Sequence, residues 1–102
     1  MPLFAIHALD GPDGAEKRSE HLTEHLAHIA AQIDRYLVAG PLKNAAGATI
    51  GSLLVVEASE EDDARAFLAQ DPYAAAQLWN SIHISAFAAV AGSWVGGATW
   101  LK

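Results

Sequence analysis

The sequence predicts an α+β fold of the ferredoxin-like, βαββαβ split βαβ type, and three observations carry that prediction. Short apolar segments alternate with two segments of helical period. Their order along the chain is strand, helix, strand, strand, helix, strand. A turn sequence joins the two middle strands, so they form a hairpin and the sheet is antiparallel. Such a chain covers one sheet face with both helices and leaves the other face bare.

The first strand is Leu3 to Leu9 (LFAIHAL), stopped by Asp10-Gly11-Pro12-Asp13-Gly14. Ala15 to Ile33 has the period of a helix, with Leu22, Leu26, Ile29 and Ile33 in one stripe expected to be buried. Tyr36 to Ala39 follows as a strand that Gly40-Pro41 should end. After a turn at Asn44 to Gly47, Ala48 to Glu57 is a strand rich in Val and Leu. Ser59 is the expected N-cap of a helix ending near Ala69, with Glu60 and Glu61 where the helix dipole favours acids. Asp71-Pro72 starts a shorter helix expected to reach Trp79. Ser81 to Val90 is the last core strand, and residues 92–102 are a Gly-containing extension with room for one more strand.

The 102 residues form one domain's worth of chain, 52% hydrophobic, which excludes wholesale disorder. Twelve acids against six bases leave a net charge of −6. Nucleic-acid binding needs clustered Lys and Arg, so no nucleic-acid partner is expected, and anionic membrane surfaces are disfavoured on the same ground. Absence of cysteine removes disulfides, thiolate metal sites and thiol nucleophiles. The first residues lack a basic n-region and read as a strand, and no apolar run reaches about 18 residues, so a cytoplasmic location is expected. Alanine supplies 22 residues and fills little volume. A thin core and an uncovered sheet face together predict a homodimer.

Candidate chemistry concentrates on the first helix, which carries Arg18, His21, His25 and His28 on one side. Arg18 and His25 fall on the shoulder of the apolar stripe, whereas His21 and His28 point further toward solvent. His25 is therefore the imidazole expected to be partly buried, where a partner can fix its tautomer. His21 to His25 also fits H-x-x-E-H, but no third metal ligand stands out, and no metal is expected. Asp71 is either a plain N-cap before Pro72 or a carboxylate held ready to orient an imidazole. His7 shares one strand face with Leu3, Ala5 and Leu9, and is either a satisfied core histidine or a pocket residue. His83 has the same ambiguity. Gly51-Ser52 marks a bulge or a close backbone approach, and Ser52 has no visible base of its own.

Taken in order, LFAIHALD, Glu16-Lys17-Arg18, His25-Leu26, Ala39-Gly40-Pro41, Gly51-Ser52 and Asp71-Pro72-Tyr73 resemble the YciI-like (YCII-related) family across residues 2 to 90. The resemblance implies a dimeric α+β barrel related to muconolactone isomerase, with a site centred on a His–Asp dyad. By the family pattern the dyad falls on His25 and Asp71, Arg18 matches the arginine of the EKR stretch, and Gly51-Ser52 the third-strand pair. His7 departs from the aromatic common at its position, and the segment after Val90 is longer than in many relatives. The resemblance also points toward elimination or isomerisation of aromatic ring compounds.

The combined expectation is a small-molecule enzyme of lyase or isomerase type that needs no metal or organic cofactor. His25 serves as general base or acid, Asp71 holds its imidazole, and Arg18, His7 and Ser52 contact an anionic or phenolic substrate oxygen. A hydrogen bond between His25 and Asp71 is expected. The alternatives are a non-catalytic ligand-binding or assembly module and, more remotely, a His-rich metal site.

Overall fold

In the computed structural model, which describes residues 1–101, Leu3–Asp10 forms strand β1 at the heart of the sheet. Its side chains alternate: Phe4, Ile6 and Ala8 are buried, while His7 and Leu9 are turned outward. Helix α1 (Gly14–Ala31) follows, then a 3-10 turn at Ile33–Arg35, strand β2 (Tyr36–Lys43) and strand β3 (Thr49–Glu57). Helix α2 (Glu61–Ala69), the single turn α3 (Pro72–Ala75) and strand β4 (Trp79–Phe87) complete the main unit. The sheet is antiparallel in the order β2-β3-β1-β4. This is the α+β architecture expected from the order of elements.

The core lies between the sheet and α2–α3. Ile6, Leu54, Val56, Phe67, Tyr73 and Leu78 are its main filling. Each large side chain so buried contributes about 1.5–3 kcal/mol.

Several local expectations are corrected. β2 does not stop at Gly40-Pro41 but runs on to Lys43, with Pro41 opposite Ser52. β2 is the sheet edge, so a residue without an N–H is tolerated there. Ser59 does not cap α2: Glu60 is the N-cap residue, and Asp63 reaches back to accept the Ser59 N–H at 2.9 Å and its hydroxyl at 3.3 Å. The helix begun at Pro72 lasts one turn and does not reach Trp79, which opens β4. β4 in turn ends at Phe87, short of Val90.

The largest correction concerns the stripe on α1. Leu22, Leu26 and Ile33 are 46%, 55% and 56% exposed, and only Gly14 of α1 is buried. The helix docks mainly on α3 and stands off the sheet. Its apolar stripe therefore becomes the wall of an open cleft, and His28, read as solvent-facing, has its Nε2 buried near the Phe67 ring.

After β4 the chain forms a short two-stranded ladder, β5 (Ala91–Gly92) with β6 (Gly97–Ala98). No helix among the described residues is long and apolar enough to cross a membrane.

Candidate active site

The gap between α1 and the sheet is a cleft of about 250 Å³. Leu22, Leu26 and Ile29 form one wall, Ala39 to Pro41 and Leu54 the other, and Arg18, His25, Ser52, Tyr73 and Trp79 add polar and aromatic groups. An apolar pocket with a few convergent polar groups is the usual form of a small-molecule site.

His25 and Asp71, 46 positions apart, meet at its end. The imidazole Nδ1–H donates to Asp71 Oδ1 at 2.8 Å and Oδ2 at 2.9 Å. Because an ionised carboxylate only accepts, Nδ1 must carry the proton, and in the neutral ring Nε2 holds the free lone pair. Nε2 has no protein partner among the described residues and is not sealed from solvent, so that lone pair is open to the cleft.

Asp71 is fully buried, and two donors compensate it: the imidazole and the Tyr73 backbone N–H, 2.9 Å from Oδ1. The cap and the imidazole partner, weighed as alternatives from the sequence, are thus both present in one side chain. Tyr73 stacks on the His25 ring and donates its hydroxyl to the Arg18 carbonyl at 3.3 Å. Burial first, then the charge of Asp71, holds the Tyr36 phenol above the ordinary tyrosine range, and burial raises Tyr73 as well.

Arg18 forms the other pole. Its Nε and Nη2 donate to the two Asp10 carboxylate oxygens at 2.7 and 2.8 Å, a bidentate pair. Nη2 also donates to the Gly51 carbonyl at 3.0 Å and to Ser52 Oγ at 2.9 Å. Trp79 Nε1–H donates to the same Ser52 oxygen at 3.3 Å. Ser52 therefore accepts twice and retains its own O–H to donate. Arg18 Nη1 has no protein partner among the described residues.

Two glycines permit this packing. A Cβ on Gly51 would run into the Ala8 carbonyl of β1, which is the close approach that Gly51-Ser52 suggested. A Cβ on Gly14 would lie 2.8 Å from Asp10 Cβ and Oδ2, displacing the carboxylate that holds Arg18.

The structure brings His25, Asp71, Arg18 and Ser52 to one cleft, but not His7. His7 projects from the opposite sheet face, exposed and directly across from His83. His21 and His25 do not form part of a metal-binding group of three or more His, Cys, Asp or Glu side chains, and no such group occurs among the described residues. Asp10, Tyr73 and Trp79 were missed as site residues. In the sequence Asp10 reads as part of the stop after the first strand and Trp79 as the end of a short helix, and the only pointer to Tyr73 is its place in Asp-Pro-Tyr.

The fold is α+β, with a helix-walled cleft on one side of an antiparallel sheet and an aspartate-bound imidazole at the end of that cleft. The YCII-related domain matches residues 2–88, and the chain belongs to that family. The YciI proteins of Escherichia coli O6:H1 and Shigella flexneri are each 34% identical over 94 residues, covering 83% of this chain and 95% of theirs. The 5-chloro-2-hydroxyhydroquinone dehydrochlorinase of Burkholderia phenoliruptrix AC1100, solved in complex with 2,5-dihydroxybenzoquinone, superposes with a TM-score of 0.78. It is 26% identical and covers 89% of this chain and 96% of that one.

Proposed function

We propose that this chain is a lyase or isomerase that moves a proton on a small oxygenated ring without a cofactor. The observation that carries the reading is His25: Nδ1 is tied to a buried carboxylate while Nε2 opens to a cleft the size of a small substrate. Nε2 accepts a proton from a C–H or O–H of the bound ring, and Asp71 stabilises the imidazolium that forms. The electron pair passes to a ring oxygen, where the Arg18 Nη1 N–H groups and the Ser52 O–H are the available donors. Return of the proton at another ring position is isomerisation. Loss of a halide as the electron pair re-forms a double bond is elimination, with H⁺ left on His25 and X⁻ released. The dehydrochlorinase similarity supports a hydroxylated, halogenated ring as the substrate class.

The test is turnover of chlorinated hydroquinones and of lactones, followed by halide release and ultraviolet absorbance. Loss of turnover in His25→Ala with the fold retained supports the reading. Unchanged turnover overturns it. A second reading, a structural pair in a non-catalytic binding module, draws on the Tyr73 cap made by Asp71. Tight binding of the same compounds without conversion would favour it.

The reading extends to a homodimer. Of the twelve acids, Glu57 alone lies on the outer sheet face, so two copies of a −6 chain meet there with least repulsion. It also includes residues 1–102 as one domain with 92–102 as an extension, a cytoplasmic location and no nucleic-acid partner. His7, on that outer face, belongs to the assembly in this reading and not to the substrate.

A further inference from the structure

The segment after Phe87 lies almost wholly outside the family match, which ends at residue 88, yet it is ordered. Thr99 N–H bonds the Val90 carbonyl at 2.8 Å, and the β5–β6 ladder closes the arm on itself. From Ala88 to Leu101 it contains no charged residue. Trp94 is 83% exposed, Trp100 66% and Leu101 75%. The arm and the outer sheet face enclose a hollow of about 390 Å³, walled by Leu3, Leu37, Val38, Val55, Phe87 and Trp94.

Indole rings carry a large apolar area, and holding an arm ordered costs conformational entropy that burial normally offsets. In one copy the arm's tryptophans bury little. The patch is uncharged in a chain of net −6, and it is continuous with the sheet face on which the homodimer reading rests. It is also self-complementary, offering both projecting rings and an apolar hollow, as a two-fold interface requires.

We propose that the arm Ala88–Leu101 is a clasp for a second copy of this chain, with Trp94 and Trp100 of each copy packing on the outer face of the other. The inference rests on the homodimer reading above.

Sedimentation equilibrium and tryptophan emission of the full chain over a dilution series, beside a Trp94→Ala/Trp100→Ala variant, test it. In the wild type, emission is expected to shift to shorter wavelength as the dimer forms, since Trp79 is already buried at any concentration. The variant's dimer should dissociate about tenfold or more readily, as loss of aromatic anchors does. A wild-type dimer with unshifted emission, or equal dissociation constants for the two proteins, overturns the clasp and leaves the homodimer standing. A wild type that stays monomeric overturns both. An emission shift brought about by an apolar dye at monomer mass gives the hollow to a small ligand and overturns the clasp.

Discussion

The His25 imidazole lies flat on the Tyr73 ring, with centroids 3.8 Å apart and planes 10° from parallel. Tyr73 also donates its backbone N–H to the capping Asp71 carboxylate and its hydroxyl to the Arg18 carbonyl. One buried aromatic residue thus touches the imidazole, its carboxylate partner and the backbone of the arginine. Because its backbone is held in α3, just after Asp71, the ring stack and the dyad share one anchor.

Asp71→Asn separates the two duties of that carboxylate. An asparagine side-chain oxygen still accepts the Tyr73 N–H, so the cap and the fold are expected to survive, at a cost of about 1–3 kcal/mol for the buried amide N–H that then faces Nδ1. The amide does not orient or stabilise an imidazolium as a carboxylate does, and kcat is expected to fall about 10²–10⁴-fold. Thermal melts and turnover on the same preparation check both. Equal losses of fold and activity would mark Asp71 as structural only.

The glycines make a sharper contrast. Gly51→Ala places a methyl against the Ala8 backbone, which cannot yield without parting β1 from β3, and should cost about 1–3 kcal/mol or more. Gly14→Ala gains up to about 1 kcal/mol of helix propensity but sets a methyl 2.8 Å from both Asp10 Cβ and Oδ2; side-chain rotation frees only the oxygen, so the backbone at the start of α1 must shift as well. Its Tm should fall, though less than that of Gly51→Ala, whose methyl meets a strand carbonyl, while activity drops through the loosened Arg18. Denaturation midpoints and KM against kcat separate the two variants.

The Ser59 backbone N–H, with smaller help from Arg35 and the Ser59 hydroxyl, lowers the Asp63 carboxyl below its usual range. A depressed folded value adds stability that is present above the unfolded value, near 4, and is lost as pH falls through the folded one. The stability gap between wild type and Asp63→Asn should therefore narrow as melts move from pH 7 toward pH 3. Tyr36 and Tyr73 act in the opposite direction. Burial raises both, so their contribution is present below about pH 10 and is lost as pH rises beyond it. A protein no less stable at pH 11 than at pH 9 would contradict their burial.

Local rules in the sequence determined the order of the elements, the turn at Asn44–Gly47, the cap before Pro72 and the preference for His25 among the α1 histidines. Each depends on neighbours within a few positions, which periodicity and turn chemistry report directly. The same rules place His7 opposite Phe4, Ile6 and Ala8, but not which of those two faces the helices cover. Tertiary packing decided that, and sent His7 away from the cleft. It also decided that α1 stands off the sheet, so that an apolar stripe suited to a core lines a cleft instead. Pro41 could stay within a strand only because β2 became an edge. Asp10 on Arg18, Trp79 on Ser52 and Tyr73 on His25 are contacts across 8, 27 and 48 positions. No sequence period links such residues. They meet because the sheet and α3 bring separate segments to one face of α1, along the stretch from Arg18 to His25, and that face lines the cleft.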